Sequence, residues 1–373
     1  LTGMDSYQQF TPSSNQWTSP LTTQQAYKER IAYDGNGNIL QYLRQGMATK
    51  LAMDSLQYTY NYTATGQLLH NQLNHIRDNV SGAAYAEDID DQPLNNYRYD
   101  AIGNLLSDSA EGISSIGWTV YGKIQQITRS NGTRISYSYD AAGNRISKSV
   151  QGTDSTTQTW YVRDGSGNVM SIYVSRALNG SIGSGLRQTE VHLYGSSRLG
   201  ILKRAVDVVS SYSIPSQFSV VRGNKFFELS NHLGNVLATV SDKKTGHDAG
   251  GGTIDYYEAD IVSASDYAPF GMQLAGRTFN PGEYRYGFNG KENDNEVKGE
   301  GNQQDYGFRI YDPRIGRFLS VDPMTKSYPW YTPYQFAGNK PIIAIDLDGL
   351  EENVQIIVNY DLLNGRTALK KDQ

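Results

Sequence analysis

A degenerate motif recurs along the chain and constrains its fold more than any other feature. The motif is a β-prone run that ends in Tyr, followed by Asp or a substitute, a short stretch, Gly-Asn and a second apolar run. The clearest copies are 33–40 (YDGNGNIL), 99–106 (YDAIGNLL) and 139–146 (YDAAGNRI), and weaker copies are 62–69, 162–170 and 229–237. Gly accepts positive φ and a short amide side chain can close a tight turn, so each copy predicts one β-hairpin.

The residues beside these turns alternate between polar and apolar side chains, as in 58–62 (YTYNY) and 134–139 (RISYSY). A period of two is typical of strands with one packed face and one solvent face. The copies are irregularly spaced, which fits a solenoid of rigid repeats poorly. With 38 Gly and 28 Tyr, the composition also favours a turn-rich β protein. The sequence therefore predicts a long antiparallel hairpin ribbon.

Charge and composition argue against several functional classes. The net charge is −5 and the basic residues are scattered, so the sequence predicts no nucleic-acid partner. No apolar run is long enough to cross a bilayer, and residues 1–10 do not resemble a signal peptide. We therefore expect any export signal to lie outside this chain. The chain has no Cys, and its five His residues lack metal-ligand spacing, so we expect neither a metal nor a cofactor.

Two polar stretches are predicted to be loops. Residues 242–253 (DKKTGHDAGGGT) combine a Gly run with interspersed charge. Residues 290–304 (GKENDNEVKGEGNQQ) are acidic and lack periodicity, which predicts a solvated excursion. The similar triplets on either side of it, 286–288 (YGF) and 306–308 (YGF), are predicted to be paired strands.

The C-terminal quarter carries the most specific motifs. They are Tyr311-Asp312-Pro313, 316–323 (GRFLSVDP) and 346–350 (DLDGL), preceded by 267–271 (YAPFG) and 284–291 (YRYGFNGK). Together with the repeats, these motifs resemble Rhs/YD-repeat proteins that end in an RHS-repeat-associated core domain. The family includes polymorphic toxin shells, toxin-complex C proteins and teneurins.

The resemblance implies an all-β fold in which the hairpin ribbon spirals into a hollow cocoon, closed by an inward-turned C-terminal core. It implies a YD-repeat shell over residues 1–265, the core over 266–350, and the start or a remnant of an effector over 351–373. The aromatic-rich run 328–336 (YPWYTPYQF) is interpreted as a plug against the inner wall of the shell.

In the family that the chain resembles, the core is an aspartyl autoprotease that cuts just after the closing Leu. The resemblance places the cleavage site at Gly349, Leu350 and Glu351, and it makes Asp322 and Asp346 the acid/base pair. Such a pair works when two carboxyls lie close together in a dry site, because one then stays protonated while the other activates water.

The resemblance also gives Arg317 a catalytic role, to orient a carboxylate or to hold the scissile carbonyl. One departure from the family pattern is Asp348, a second acid where Asp-Pro-x-Gly-Leu is common, and it competes for the catalytic role.

The expected function is therefore a fragment of a bacterial toxin shell, secreted or at the cell surface and used in competition between bacteria. It would cut its own chain once after Leu350 and release an enclosed effector, with no external substrate. The expected partners are the chain's own effector, a secretion-system component and an immunity protein. Residues 351–373 are too short for a toxin domain with its own core. Two alternatives remain open: a non-cleaving cell-surface YD-repeat adhesion or carrier protein, and a carrier shell with an inactive plug.

Overall fold

The computed structural model describes residues 1–354 except 12, 15, 81–84, 179–184, 210–220 and 283, and it leaves undescribed the side chains of 8, 9, 17–22 and 351–354. Strands dominate the fold, and every pairing between them is antiparallel. The strands are β1 (Gly3–Thr11), β2 (Gln16–Tyr33), β3 (Ile39–Gln45), β4 (Ala52–Tyr62), β5 (Leu68–Asp78), β6 (Tyr97–Tyr99), β7 (Leu105–Asp108), β8 (Ile113–Trp118), β9 (Ile124–Arg129), β10 (Arg134–Tyr139), β11 (Arg145–Gln151), β12 (Ser155–Arg163), β13 (Val169–Leu178), β14 (Arg187–Tyr194), β15 (Arg198–Asp207), β16 (Lys225–Ser230), β17 (Val236–His247), β18 (Tyr256–Tyr267), β19 (Gln273–Phe279), β20 (Glu292–Asn293), β21 (Gln304–Asp305), β22 (Ile310–Asp312), β23 (Arg317–Phe318), β24 (Ala344–Leu347) and β25 (Glu351–Val354).

Each strand of the two large sheets pairs with its neighbours in the sequence. Strands β1–β5 form one sheet and β6–β19 form a second, 14-stranded sheet in unbroken chain order. We call β1–β19 the ribbon. Residues 284–350, which we call the core segment, contain the small sheet β20–β23, strand β24, a helix α1 (Asn295–Lys298) and 3-10 turns at Phe288–Gly290 and Ala337–Asn339. The predicted all-β hairpin ribbon is confirmed.

The repeat turns share one hydrogen-bonding arrangement. Between β6 and β7, Asp100 Oδ1 accepts the backbone N–H groups of Ile102 at 3.0 Å and Asn104 at 2.8 Å. Its Oδ2 accepts the side-chain amide of Asn104 at 3.0 Å. Gly103 has φ +97°, a conformation that residues with a Cβ rarely adopt. The same bonds recur around Asp34, Asp140 and Asp164. Each copy of the motif is thus one hairpin, as predicted.

The core segment packs against one face of the ribbon. Ile76, Ile127 and Ile135 of the ribbon are fully buried in the same apolar cluster as Tyr311 and Phe336 of the core segment. The tightest aromatic pair of that cluster stacks Tyr311 on Phe336 with ring centroids 4.3 Å apart. This packing places the C-terminal segment against the ribbon, as the inward-turned core requires.

Only part of the aromatic-rich run takes part in this packing. Tyr334 and Phe336 are buried, whereas Trp330 is 62% exposed. The plug that was interpreted as spanning residues 328–336 therefore contacts the ribbon mainly through its second half.

The prediction that residues 290–304 form a solvated excursion is wrong. The segment contains β20, α1 and the first residue of β21, and both Asp294 and Lys298 are buried. Asp294 contacts Arg145 of β11 at 2.8 Å, and Lys298 contacts Asp108 of β7 at 2.7 Å. These charged residues are buried because opposite charges on the ribbon pair with them.

Two smaller predictions about loops also need correction. The triplets 286–288 and 306–308 are not paired with each other, because Tyr286 bridges to Glu292 instead. The stretch 242–253 is not a loop throughout, because β17 continues to His247 and pairs with β18 to that residue.

The predicted division into three domains remains a prediction. The 14-stranded sheet extends to Phe279, beyond the predicted boundary at residue 265. Of the predicted effector start, 351–373, only β25 belongs to the described residues. Within the described part of the chain, no helix has the length and apolar character needed to cross a membrane.

Candidate active site

The expected cleavage site lies in the hairpin that joins β24 to β25. Leu347 and Glu351 are paired, so residues 348–350 form the connecting loop. Asp348 and Gly349 both have positive φ, +54° and +80°, and the N–H of Leu350 donates to the carbonyl of Leu347 at 3.1 Å. The Leu350–Glu351 bond is therefore located where the loop enters β25.

Arg309 connects this loop to both candidate aspartates. Its Nε donates to the carbonyl oxygen of Gly349 at 2.5 Å. Its Nη2 lies 3.0 Å from Oδ2 of Asp322 and 3.4 Å from Oδ2 of Asp346. The guanidinium lies over the Phe318 ring at 3.8 Å from the centroid, and the arginine is almost completely buried. One cation thus contacts the two carboxylates and the carbonyl one residue before the expected cleavage site.

The environment of Asp346 favours the protonated form of its carboxyl. Burial raises its pKa to about 7, and the nearby charge of Asp322 adds to the increase, whereas Arg309, the Ala337 amide and Lys291 oppose it. The Oδ1 atom of Asp346 is buried without a hydrogen-bond partner in the described structure. A buried carboxyl with one unpartnered oxygen is suited to carry a proton.

Asp322 lies in a less enclosed position. Burial also raises its pKa, but Arg309 and the N–H of Met324, which donates to Oδ1 at 2.7 Å, favour the charged form. The backbone N–H of Asp322 donates to the carbonyl of Pro333 at 3.0 Å. The two carboxyls therefore share one arginine while their surroundings differ, as acid/base chemistry by a carboxyl pair requires.

The structure brings Asp322, Asp346 and Gly349 together but places Arg317 elsewhere. Arg317 donates to the hydroxyl of Tyr60 at 2.7 Å and to the carbonyl of Asn71 at 2.6 Å, both on the ribbon. The contact to a carboxylate that was expected of Arg317 is made by Arg309 instead, and Arg309 also contacts the carbonyl of Gly349, one residue before the expected scissile carbonyl. The only sequence signal for Arg309 was a charged residue inside an apolar run next to Tyr311-Asp312-Pro313.

Asp348, the competing acid, points away from the pair. It is exposed, and its Oδ1 lies 3.0 Å from Nζ of Lys291. Its backbone carbonyl accepts the N–H of Phe308 at 2.9 Å. Through these contacts to Lys291 and Phe308, Asp348 helps to hold the loop in place. Among the residues that the structure describes, no group of three or more His, Asp or Glu side chains is arranged to hold a metal ion.

Comparison with known proteins finds partial matches to a surface protein and to a toxin subunit, while no family model matches the chain. It is 28% identical over 193 residues to salivary gland surface protein 1 of Aedes aegypti, a match that covers 51% of this chain and 4% of that protein. It is 32% identical over 93 residues to toxin subunit YenC1 of Yersinia entomophaga, which covers 24% of this chain and 9% of that subunit. The chain therefore spans less than a tenth of either relative in these matches.

The fold itself is found in a solved toxin complex. The Tc holotoxin pore of Photorhabdus luminescens, determined with an aspartate-to-alanine mutation in TccC3, matches with a TM-score of 0.55 and 17% identity. The match covers 94% of this chain and 17% of that chain. The fold thus belongs to the class of β-rich shells seen in Tc toxins, and this chain is similar to part of one.

Proposed function

We propose that the chain is a fragment of an Rhs/YD-repeat toxin shell whose core segment cuts its own backbone once, between Leu350 and Glu351, to free a downstream effector. The observation that carries this proposal is the contact of Arg309 with Asp322, Asp346 and the Gly349 carbonyl. The fold shared with a Tc toxin and the partial match to a Yersinia toxin subunit support the shell part of the proposal.

The proposed reaction is hydrolysis by water. Asp322, the more exposed carboxylate, accepts a proton from water as the water oxygen attacks the Leu350 carbonyl carbon. Asp346 supplies its proton to the departing nitrogen of Glu351, so the products are a carboxylate at Leu350 and an amine at Glu351. A cleft of about 350 Å³ lined in part by Lys291, Tyr306 and Asp348 gives water a route to the loop.

A single chain contains both catalyst and substrate, which gives the reaction a high effective concentration. We expect the purified chain to contain a fragment whose N-terminal sequencing begins at Glu351. We also expect the rate of cutting after dilution from denaturant to be independent of protein concentration. An N-terminus at another residue, or a rate proportional to concentration, would contradict cleavage within one chain at this bond.

Self-cleavage is expected to slow as pH rises through about 7. Burial raises the pKa of Asp346 to about 7 from 3.8, so its carboxyl holds the proton below that pH and loses it above. For the same reason, Asp346 contributes a loss of folding stability as pH rises from 3.8 towards 7, because the folded state then holds a proton that the unfolded state has released.

The pH dependence is measured by refolding the chain at a series of pH values on both sides of 7 and following the cut fraction by intact mass. A rate that increases through this range would contradict the assignment of Asp346 as the proton donor.

Replacing Gly349 by Ala is expected to slow self-cleavage by about 10²-fold, because a small displacement of the reacting groups has an effect of that size. A Cβ at this position would lie 2.8 Å from the backbone N of Arg309, and φ of +80° adds strain. Gly252→Ala is the matched control, because Gly252 has φ +76° but nothing lies within 4 Å of the added atom. Equal cutting rates in Gly349→Ala and Gly252→Ala would show that the close contact between Gly349 and Arg309 has no effect on self-cleavage.

A second candidate function is a cell-surface protein that does not cut itself. The match to a salivary gland surface protein over 51% of the chain favours this candidate. It predicts an uncut chain, and it predicts binding through exposed aromatic side chains such as Trp330 and Tyr257.

The remaining elements of the proposal concern the biological setting. A secreted or cell-surface location, an enclosed effector, a secretion-system component and an immunity protein all follow from the proposed membership of the polymorphic toxins. The match to a solved multi-component toxin supports the existence of partner subunits.

A further inference from the structure

The segment that carries Asp322 is braced by a second stretch of the core segment, residues 332–334. The carbonyl of Pro333 accepts the N–H of Asp322 at 3.0 Å and Nη1 of Arg309 at 3.3 Å. The carbonyl of Tyr334 accepts the N–H of Phe318 at 3.0 Å. The position of Asp322 relative to Arg309 therefore depends on where residues 332–334 lie.

Residues 332–334 are in turn held by two repeat turns of the ribbon. The Tyr334 hydroxyl donates to the carbonyl of Gly103 at 2.7 Å, in the turn between β6 and β7. The N–H of Thr332 donates to the carbonyl of Asn36 at 2.7 Å, in the turn between β2 and β3. In the same turn, the carbonyl of Gly37 accepts a hydrogen bond of 3.0 Å from the side-chain amide of Asn339.

The contact at Gly103 leaves no room for a side chain. A Cβ on Gly103 would lie 2.6 Å from Cγ2 of Val321 and 2.7 Å from the Tyr334 hydroxyl. Val321 directly precedes Asp322 in the sequence. The repeat turn therefore packs closely against Val321, which precedes Asp322, and against the Tyr334 side chain.

Arg317 contributes a third attachment of the same segment to the ribbon. It donates to Tyr60 of β4 and Asn71 of β5, and its guanidinium lies 4.9 Å from the centre of the Tyr334 ring. Because Arg317 contacts both Tyr334 and the ribbon, it is a positioning residue.

We propose that the repeat turns at residues 34–38 and 100–104, together with Arg317, position the Asp322 segment, so that the site becomes complete only when the ribbon has folded against the core segment. The inference rests on the proposed self-cleavage and adds a device that regulates it. Cutting would be delayed until the shell is assembled, because Asp322 has no fixed place beside Arg309 before then.

The test compares two glycines at the same position of two repeat turns. Gly103→Ala and Gly66→Ala introduce similar backbone strain, with φ of +97° and +82°, but nothing lies within 4 Å of a Cβ on Gly66. We expect Gly103→Ala to slow cutting during refolding by about 10²-fold. We expect Gly66→Ala to cut at the rate of the unmodified chain.

A pH profile separates positioning from a general loss of stability. Asp346 faces Arg309, Asp322 and Lys291, and the charge of Asp322 helps to raise its pKa. Moving Asp322 away is therefore expected to shift the midpoint of the profile to lower pH in Gly103→Ala and to leave it unchanged in Gly66→Ala.

Hydrogen exchange measured by mass spectrometry gives a readout that does not depend on cutting. Peptides covering residues 318–334 are expected to exchange faster in Gly103→Ala than in Gly66→Ala. If Gly103→Ala does not fold, Tyr334→Phe removes only the hydroxyl that bonds to Gly103. It is expected to show the same three changes, slower cutting, a lower pH midpoint and faster exchange, to a smaller extent.

The outcomes distinguish this inference from the proposed function. Equal cutting rates, pH midpoints and exchange in the Gly103 and Tyr334 variants and the control would overturn the positioning role and leave self-cleavage standing. An uncut unmodified chain would overturn self-cleavage, and the exchange comparison would still decide whether the repeat turns hold the Asp322 segment.

Discussion

Replacing Asp346 by Asn is expected to leave the chain uncut over the time in which the unmodified chain is processed completely. The amide cannot supply the proton that the departing nitrogen needs, and general acid catalysis of this kind contributes about 10²–10⁴-fold to a rate. Asp322→Asn removes the base and is expected to have an effect of similar size. Both are isosteric changes, so the segment retains its shape, and intact mass distinguishes the single species from the two fragments.

Asp348→Asn provides the matched control, because Asp348 is an acid in the same hairpin that contacts Lys291 instead of Arg309. We expect this variant to be cut at nearly the rate of the unmodified chain. Complete processing of both Asp322→Asn and Asp346→Asn would contradict the assignment of the pair. Loss of cutting in Asp348→Asn alone would transfer the catalytic role to the competing acid.

Replacing Asp294 by Ala is expected to destabilise the protein by about 3–5 kcal/mol, the usual result of removing one partner from a buried ion pair. Asp294 is fully buried and accepts two hydrogen bonds from Arg145, at 2.9 and 2.8 Å. Lys148 lies 3.3 Å away. Burial alone would raise the pKa of Asp294, but the two cations lower it to about 2. Without Asp294, the positive charges of Arg145 and Lys148 would lose their shared buried partner.

Urea unfolding of the Asp346→Asn chain, with and without the second substitution, measures this effect on single uncut molecules. Glu300→Ala is the control, because Glu300 is an exposed acid of the same segment. We expect it to change stability by less than about 0.5 kcal/mol, as is usual for surface sites. Equal unfolding midpoints for the two variants would show that the buried pair does not hold the core segment to the ribbon.

The ribbon could be predicted from the sequence because its determinants are local. In the turn at 100–104, the carboxylate, the amide and the glycine that close the hairpin all lie within five consecutive residues. Alternation in the adjoining strands then identifies the packed face. Neither feature requires knowledge of distant parts of the chain.

The burial of charged residues within 290–304, such as Asp294 and Lys298, could not be predicted in this way. Asp294 pairs with Arg145, almost 150 residues earlier in the chain. The segment is polar in composition, and polarity normally indicates exposure. Its charged residues become compatible with the interior only through partners on strands that the sequence does not place beside them.

The candidate site was predictable in part. The resemblance to the family pointed to Asp322, Asp346 and the Gly349-Leu350 end, and the structure brings Asp322, Asp346 and Gly349 together around Arg309. It did not identify Arg309, whose role depends on a carbonyl and two carboxylates contributed by three separate stretches. Arg317 matched a motif, but its motif position does not show that its side chain extends towards the ribbon.

Cutting of the unmodified chain in water enriched in ¹⁸O tests the central claim most directly. The chain is refolded from denaturant, and the intact masses of the products are recorded over time. The account predicts an upstream fragment ending at Leu350 that carries one ¹⁸O atom in its new carboxylate, and a downstream fragment beginning at Glu351. A single uncut species of 41.4 kDa would contradict it.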